Sequence, residues 1–424
     1  MKYLVFIFLT IVPPLLMAIE PTPDLDATRT DSRETSPFYF KFGEGFPTKL
    51  SGNILLGPAT ATGGNPPGEG ETEAILGHLT QLQLASQLEK LTGLKDVLRV
   101  GVVAGQFGEE RGFANQKALN TNMALLAYQY DDIELSTLEY RFAVFDDRAV
   151  FTFKPVGFSL SSVLMPNSPY RSPSDGALSR FAGASPIYKI GSLKRGLGVD
   201  FLQNNWMQLQ VAYGERDADH RALGIQYLFK LGEEKKIITG ITYVKAFSVD
   251  AHLDTFTGSY NADTSGNFPK LEQNDMNTGN DNANVLGNFL APTRPTSIHA
   301  LNGTVRWLLT HHIELGGWVG LILADARDSE EEALSSTFLV SLGISDLLRK
   351  NDSLVFMVGQ PPRLIQGHGV EEDEGFGMHY EAFYRLEINN YLSVSPGLFF
   401  VTEPGHISEN NSFLVTALRM TLSF

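Results

Sequence analysis

The chain has 424 residues, 43% of them apolar, and 33 basic against 48 acidic side chains give it a formal charge of −15. With no basic run to offset that balance, a nucleic-acid partner is excluded, because its phosphates would be repelled. The lack of cysteine rules out disulfide frameworks, thiolate zinc sites, cysteine nucleophiles and a lipid anchor at a cysteine.

At the N-terminus, Lys2 precedes an apolar run from Tyr3 to Met17 that Pro13 and Pro14 interrupt, with Ala18 at a small-residue cleavage position. This reads as a signal peptide over residues 1–18. Residues 19–46 are rich in Pro, Thr, Ser and acidic groups and read as a flexible leader on the periplasmic side. No later window holds the roughly 18 uninterrupted apolar residues of a spanning helix, so any membrane span must be made of strands.

From residue 47 to 424 the pattern is one of alternation. Strands are predicted to begin near 47, 75, 96, 133, 148, 196, 206, 220, 237, 297, 312, 334, 353, 376, 391 and 412. The apolar piece 122–130 breaks the order and is assigned to a loop. Met207, Leu209, Val211 and Tyr213 oppose Gln208, Gln210 and Ala212, so one face is lipid-like and the other wet. Tight polar turns are expected at Asp146-Asp147, 203–205, 232–236, Thr310-His311, 349–352 and Asn389-Asn390, where asparagine tolerates the positive angles of a hairpin.

Between these turns lie longer connections near 57–74, 108–132, 159–195, 215–219, 247–296, 324–333, 362–375 and 402–411, the fourth of them brief. Trp206 and Trp307 flank short turns, as girdle residues do. The last strand stops on Phe424, with Leu422 and Met420 on the same face. An even number of antiparallel strands, with short turns at one end and long loops at the other, is the signature of an all-β, up-and-down transmembrane barrel of about 16 strands. Short turns would face the periplasm and long loops the outside.

A barrel of this size leaves a water-filled lumen. The function expected is passive diffusion of small hydrophilic solutes, inorganic ions and possibly sugars, across the outer membrane. The third long connection has the place and length to fold inward and narrow the lumen. It carries Arg171, Arg180, Lys189, Lys194 and Arg195 against Asp175, an excess that favours anions at a constriction. Parity places Glu314, Trp318, Arg385 and Arg419 on the pore-lining face, with Trp318 read chiefly as a packing residue. Phe424, Leu422 and Met420 would form the terminal signal read by the barrel assembly machinery.

Chemistry finds little support. His406-Ile407-Ser408 has a histidine beside a serine but lies in a loop; adjacent His311 and His312 fit a turn; and 275–282 lacks the spacing of a calcium loop. No catalytic residue, cofactor or metal is expected. The alternatives are a surface-binding or adhesive barrel using the long 247–296 loop, or a barrel-embedded hydrolase.

TKLSGNILLG at the first strand, LEYRF at 138–142, SRFAGASPIY at 179–188, LGGWVGLILAD at 315–325, VGQPP at 358–362, residues 379–406 and the terminal strand resemble, in order, the cyanobacterial outer-membrane porins of the carbohydrate-selective porin (OprB) family. The resemblance implies a porin for small hydrophilic solutes and a homotrimer. It departs from the family's habit at the front, where such proteins usually carry a surface-layer-homology domain and a coiled coil. About 28 residues between the signal and the first strand leave no room for either, and peptidoglycan contact is not expected.

Overall fold

The structure, a computed structural model, describes residues 38–42, 46–63, 74–106, 130–204, 206–232, 236–250, 252–255, 257–264, 295–327 and 330–424. The predicted signal, most of the predicted leader, residues 122–129 of the 122–130 apolar piece and the 275–282 segment lie outside them; the last residue of that piece, Tyr130, begins a strand instead of lying in a loop. No described helix is long and apolar enough to cross a membrane.

The strands are β1 (Phe38–Phe42), β2 (Phe46–Gly63), β3 (Ile75–Gln87), β4 (Asp96–Gln106), β5 (Tyr130–Val144), β6 (Ala149–Val156), β7 (Arg195–Asn204), β8 (Met207–Asp217) and β9 (His220–Leu231). They continue as β10 (Ile237–Ser248), β11 (Thr296–Leu308), β12 (Ile313–Ala326), β13 (Glu332–Ser345), β14 (Ser353–His368), β15 (His379–Glu387), β16 (Leu392–Val401) and β17 (Phe413–Ser423). Each pairs antiparallel with its neighbour, and β17 returns to β2 from Phe413↔Gly63 to Ser423↔Asn53. β2 to β17 therefore form a closed barrel of 16 strands, as the alternation predicts. Closure extends to Phe424, whose amide donates to the Gly52 carbonyl (3.0 Å) and whose carbonyl accepts from the Gly52 amide (2.9 Å).

Three features differ from the sequence reading. Phe38–Phe42, inside the segment read as a leader, pairs with Phe46–Leu50 as an extra strand outside the barrel count. The connection expected over 324–333 is only 327–331 and that expected over 362–375 is 369–378, because β12, β13 and β14 stay paired beyond the residues read as strand, so loop length sorts the two ends less cleanly than expected. Asn389 and Asn390 are not in the left-handed region; instead the Asn389 side chain accepts the amides of Tyr391 (2.8 Å) and Leu392 (2.9 Å). The positive angles fall in other turns, at Phe145, Asp146 and Asp147 and at Asp346 and Asn351.

The two faces divide as the period of two requires. Leu197, Leu223, Val305, Val319, Val340 and Leu398 stand exposed on the outside. Trp206 and Trp307 also lie outside beside short turns, Trp206 stacked on Phe229 with ring centres 6.2 Å apart. Inside, the barrel is packed with the connection between β6 and β7. Its Leu178 and Phe181 pack in one apolar cluster with Trp318, Phe383 and Phe399 of the wall. Phe158, Leu160, Leu164, Ile187 and Tyr188 form another with Ala222, Val244 and Ile322.

Glycines on the inner face let this segment approach. A Cβ at Gly397 would stand 2.6 Å from Leu178 Cδ1 and 2.7 Å from Phe383 Cβ. Gly397→Val should therefore destabilise the folded barrel by about 1–3 kcal/mol through overpacking. A lowered urea midpoint for the heat-modifiable gel band would register it; an unchanged midpoint would contradict this packing.

Candidate functional site

The inner wall is polar, and buried polar groups must find partners. The connection over 157–194 supplies them strand by strand. The Met165 amide donates to Gln210 of β8 (2.8 Å), and Gln226 of β9 donates back to the Met165 carbonyl (2.7 Å). Asn167 reaches the Ile238 carbonyl of β10 (2.8 Å). The Tyr188 hydroxyl meets Gln226, Thr242 and Asn302 at 3.0, 3.1 and 3.3 Å. Further along, the Leu178 and Ser179 amides donate to the Glu381 carboxylate of β15 (2.5 and 3.2 Å), and the Ser179 hydroxyl lies 3.1 Å from His379.

Ser179 is also the N-cap of a short helix, α1 (Arg180–Gly183), its hydroxyl accepting the Ala182 amide at 3.1 Å. Arg419 of β17 completes the span. Its guanidinium is fully buried and donates to the carbonyls of Pro173 (2.9 Å) and Gly176 (2.7 Å), while Thr421 donates to that of Ser174 (2.8 Å). Loop backbone is thus held by an acid through its amides and by a base through its carbonyls.

These bonds run along the wall from β8 to β17. On the remaining arc, β4 to β7, inward parity places a charged group. Arg99 donates to Glu139 (2.6 Å), Lys154 stands 3.8 Å from the same carboxylate, Arg141 is buried beside them, and Gln210 donates to Asp200 (2.9 Å). Lys154 also reaches the loop at Ser162 (3.4 Å). The sequence reading missed this group, although Arg99 and Arg141 stand out as charges on the wet parity of otherwise apolar strands.

The five loop cations divide. Arg171, Arg180 and Lys189 are half-buried on the inward part of the connection, and Lys189 donates to the Arg180 carbonyl (3.0 Å). Burial, then the Arg180 charge, holds the Lys189 ammonium well below the ordinary lysine range. Lys194 and Arg195 are exposed where the connection re-enters the sheet. Arg195 shares the outward parity of Leu197 and pairs with Glu215 on β8 (2.7 Å), so it leaves the constriction set. Alternation decides that: an odd-numbered residue of β7 points away from the lumen.

Of the four wall residues, Glu314 is paired with Arg306 (2.8 Å) and Arg385 lies 3.4 Å from Asp175. Trp318 is covered by the loop, its ring edge-on to Phe181 at 5.9 Å, which is the packing role expected. Arg419 has the inward parity predicted but lines no water, because the loop lies over it. Met420 and Leu422 face outward near the end of β17, and Leu422 is exposed.

The bland readings of the loop histidines also have geometry. The Gly377 amide donates to His406 Nδ1 (2.9 Å), which fixes the proton on Nε2, 3.2 Å from the Pro361 carbonyl. Burial pushes this imidazole down to about 4. It ties the 402–412 connection to β14, where Pro361 and Pro362, which lack amide hydrogens, lie opposite Thr337 at a register shift. His312 sits in a turn, 3.3 Å from Asp346. Among the described residues no cluster of three or more ligating side chains forms a metal site.

Two outcomes follow from these contacts. Arg419→Met should remove charged donors from the Pro173 and Gly176 carbonyls and loosen the loop by roughly 3 kcal/mol, read as faster proteolysis within 170–190 of the folded barrel. Proteolysis at the wild-type rate would contradict the clamp. For His406, whose folded value lies below the ordinary 6.5, the native state binds fewer protons than the unfolded one between those limits. Its stabilisation is complete above pH 6.5 and declines as pH falls toward about 4. Wild type should lose stability relative to His406→Gln across that window; parallel curves would show that the tie does not titrate there.

Comparison with known proteins agrees with this architecture. The family model described as carbohydrate-selective porin, OprB family, matches residues 208–424. An uncharacterized protein of Nostoc sp. is 24% identical over 271 residues, covering 59% of this chain and 43% of that one. Another, from Synechocystis sp., is 23% identical over 345 residues, covering 72% and 57%. The chain thus spans about half the length of these relatives.

Among solved structures, OprB of Pseudomonas putida in its high-pH form superposes with a TM-score of 0.61 at 13% identity, covering 90% of this chain and 94% of that one. An outer membrane protein of Vibrio cholerae, OmpT lacking loop L8, gives 0.57 at 6% identity over 90% and 100%. The anion-selective porin of Comamonas acidovorans gives 0.54 at 8% over 89% and 100%. The closed barrel is therefore a porin fold, and the matched half of the sequence makes this chain a member of the carbohydrate-selective porin, OprB family.

Proposed function

We propose that the protein is an outer-membrane diffusion channel whose aperture lies between the inward-folded 157–194 connection and the β4–β7 wall. The observation that carries this reading is the run of loop hydrogen bonds along β8 to β17, with a charged group left on the opposite arc. A segment occupying one side of the lumen narrows what remains for solute.

The aperture so defined favours small anionic or polar solutes. Arg171, Arg180 and Lys189 belong to the loop side; Arg99, Arg141 and Lys154 belong to the wall, against Glu139 and Asp200. A narrow, poorly screened passage amplifies such an excess. The anion selectivity of the Comamonas acidovorans porin, which shares the fold, is consistent with this charge sign. Sugars remain within the proposed range as uncharged hydrophilic solutes; the interior aromatic ring at Trp318 is packed under the loop and offers no stacking face.

The rest of the cellular reading is proposed on the same basis. The first 18 residues act as an export signal, and the terminal Phe424, Leu422 and Met420 are read by the barrel assembly machinery. Subunits associate as a homotrimer through the outer wall. The structural role of His406 and the dense polar packing of the loop favour a channel over a surface adhesin or a barrel hydrolase.

Purified protein in a planar bilayer should give open, ohmic steps, whereas a persistently silent bilayer would defeat the channel reading. In a salt gradient the reversal potential should report anions as the preferred carriers. Exchanging Arg171 and Arg180 for Glu should move it toward cations, and an unmoved potential would remove the loop from the filter.

A further inference from the structure

The outer wall carries a second charged group at the loop end of β9 to β12. Register orders it by depth. Ile225, Tyr243, Leu301 and Leu321 lie side by side on one row of the outward face. Two residues nearer the loops, Leu223, Lys245, His299 and Leu323 form the next, and then come Arg221, Phe247, Ser297 and Asp325. Rows two residues apart are separated by about 7 Å, so the cations begin where the apolar band ends, at the head-group level of the outer leaflet.

Arg327 joins this top row from the β12–β13 connection. Its amide donates to the Pro295 carbonyl (2.8 Å) and its Nε to Ser297 (3.0 Å). Two guanidiniums then share one ring: the Arg327 Cζ lies 4.7 Å and the Arg221 Cζ 5.3 Å from the centre of Phe247. Arg221, Lys245 and Arg327 are all exposed, and among the described residues none is ion-paired with a carboxylate. Two acids in register with these rows are otherwise placed. Glu215, across the sheet from Arg221, is engaged by Arg195 (2.7 Å). Asp325 and Glu332 pair in register with each other on the far side of Ser297.

We infer that Arg221, Arg327 and Lys245 form a binding site for the phosphate of an anionic outer-leaflet lipid, with Phe247 as its apolar floor. Guanidinium forks match phosphate oxygens in pairs, and two of them on one ring repel unless an anion lies between. The ring and the leucines below it continue into the acyl-chain region, which selects a lipid over a soluble anion. The inference rests on the barrel lying in the outer membrane. Recovery of the heat-modifiable folded form tests that premise separately.

The test is native mass spectrometry of the folded barrel, delipidated in neutral detergent and offered phosphatidylglycerol or phosphatidylcholine. Wild type should retain the anionic lipid in preference to the zwitterionic one. Arg221→Ala with Arg327→Ala, placed on the barrel exterior away from the channel, should lose roughly tenfold of that preference, as expected for removing charge-assisted bonds. Arg349→Ala, an exposed cation at the turn end, should leave it intact. Equal retention of the two lipids, an unchanged preference in the double variant, an equal loss in Arg349→Ala, or displacement of the lipid by inorganic phosphate alone would each overturn the assignment, the last by marking an adventitious ion only.

Discussion

Everything in this molecule depends on one constraint: in hydrocarbon no peptide group can be left without a hydrogen-bond partner. A sheet satisfies that demand only by closing, and here closure is made by β17 on β2, ending in the reciprocal bonds between Phe424 and Gly52. Once closed, the period of two sorts every strand residue into lipid or lumen. A chain 43% apolar is sufficient because only one face of each strand needs to be oily. The polar remainder, which would be an intolerable core for a soluble sandwich, becomes the wall of a channel.

Closing the sheet creates a second problem, which the connection between β6 and β7 solves. Inward polar groups such as Gln226, Asn302 and Glu381 are fully or nearly fully buried, and a buried polar group without a partner is costly. The loop brings backbone amides and carbonyls to them, and inner-face glycines such as Gly397 and Gly320 leave space for its apolar side chains. The charged residues that hold it, Glu381 and Arg419, are therefore parts of its frame.

The outer surface obeys the same depth logic. Apolar rows give way to aromatic and cationic rows at both ends: Trp206 and Trp307 at the turns, Phe247 with its two arginines at the loops. Arg195 and Arg221 belong to this exterior ring although they sit close in sequence to interior residues. A single residue of register separates an inward-facing charge from an outward-facing one.

How much was legible in the sequence follows from which interactions are local. Alternation is a property of consecutive residues, so the strand order, the number of strands, the two faces and the inward parity of Glu314, Trp318, Arg385 and Arg419 could be read directly. Their surroundings could not: whether an inward residue meets water or a folded-in segment depends on a chain more than 200 positions away in sequence, as with Arg419 and Gly176. For the same reason the β4–β7 charged group was missed, since Arg99, Glu139 and Lys154 meet only across paired strands. The sequence by itself determined a closed barrel with an oily exterior, because the hydrogen-bond geometry of a strand leaves alternation no other use in a membrane. Only the tertiary structure decided where the loop lies and which charges it buries, because those contacts join residues that nothing but the closed sheet brings together.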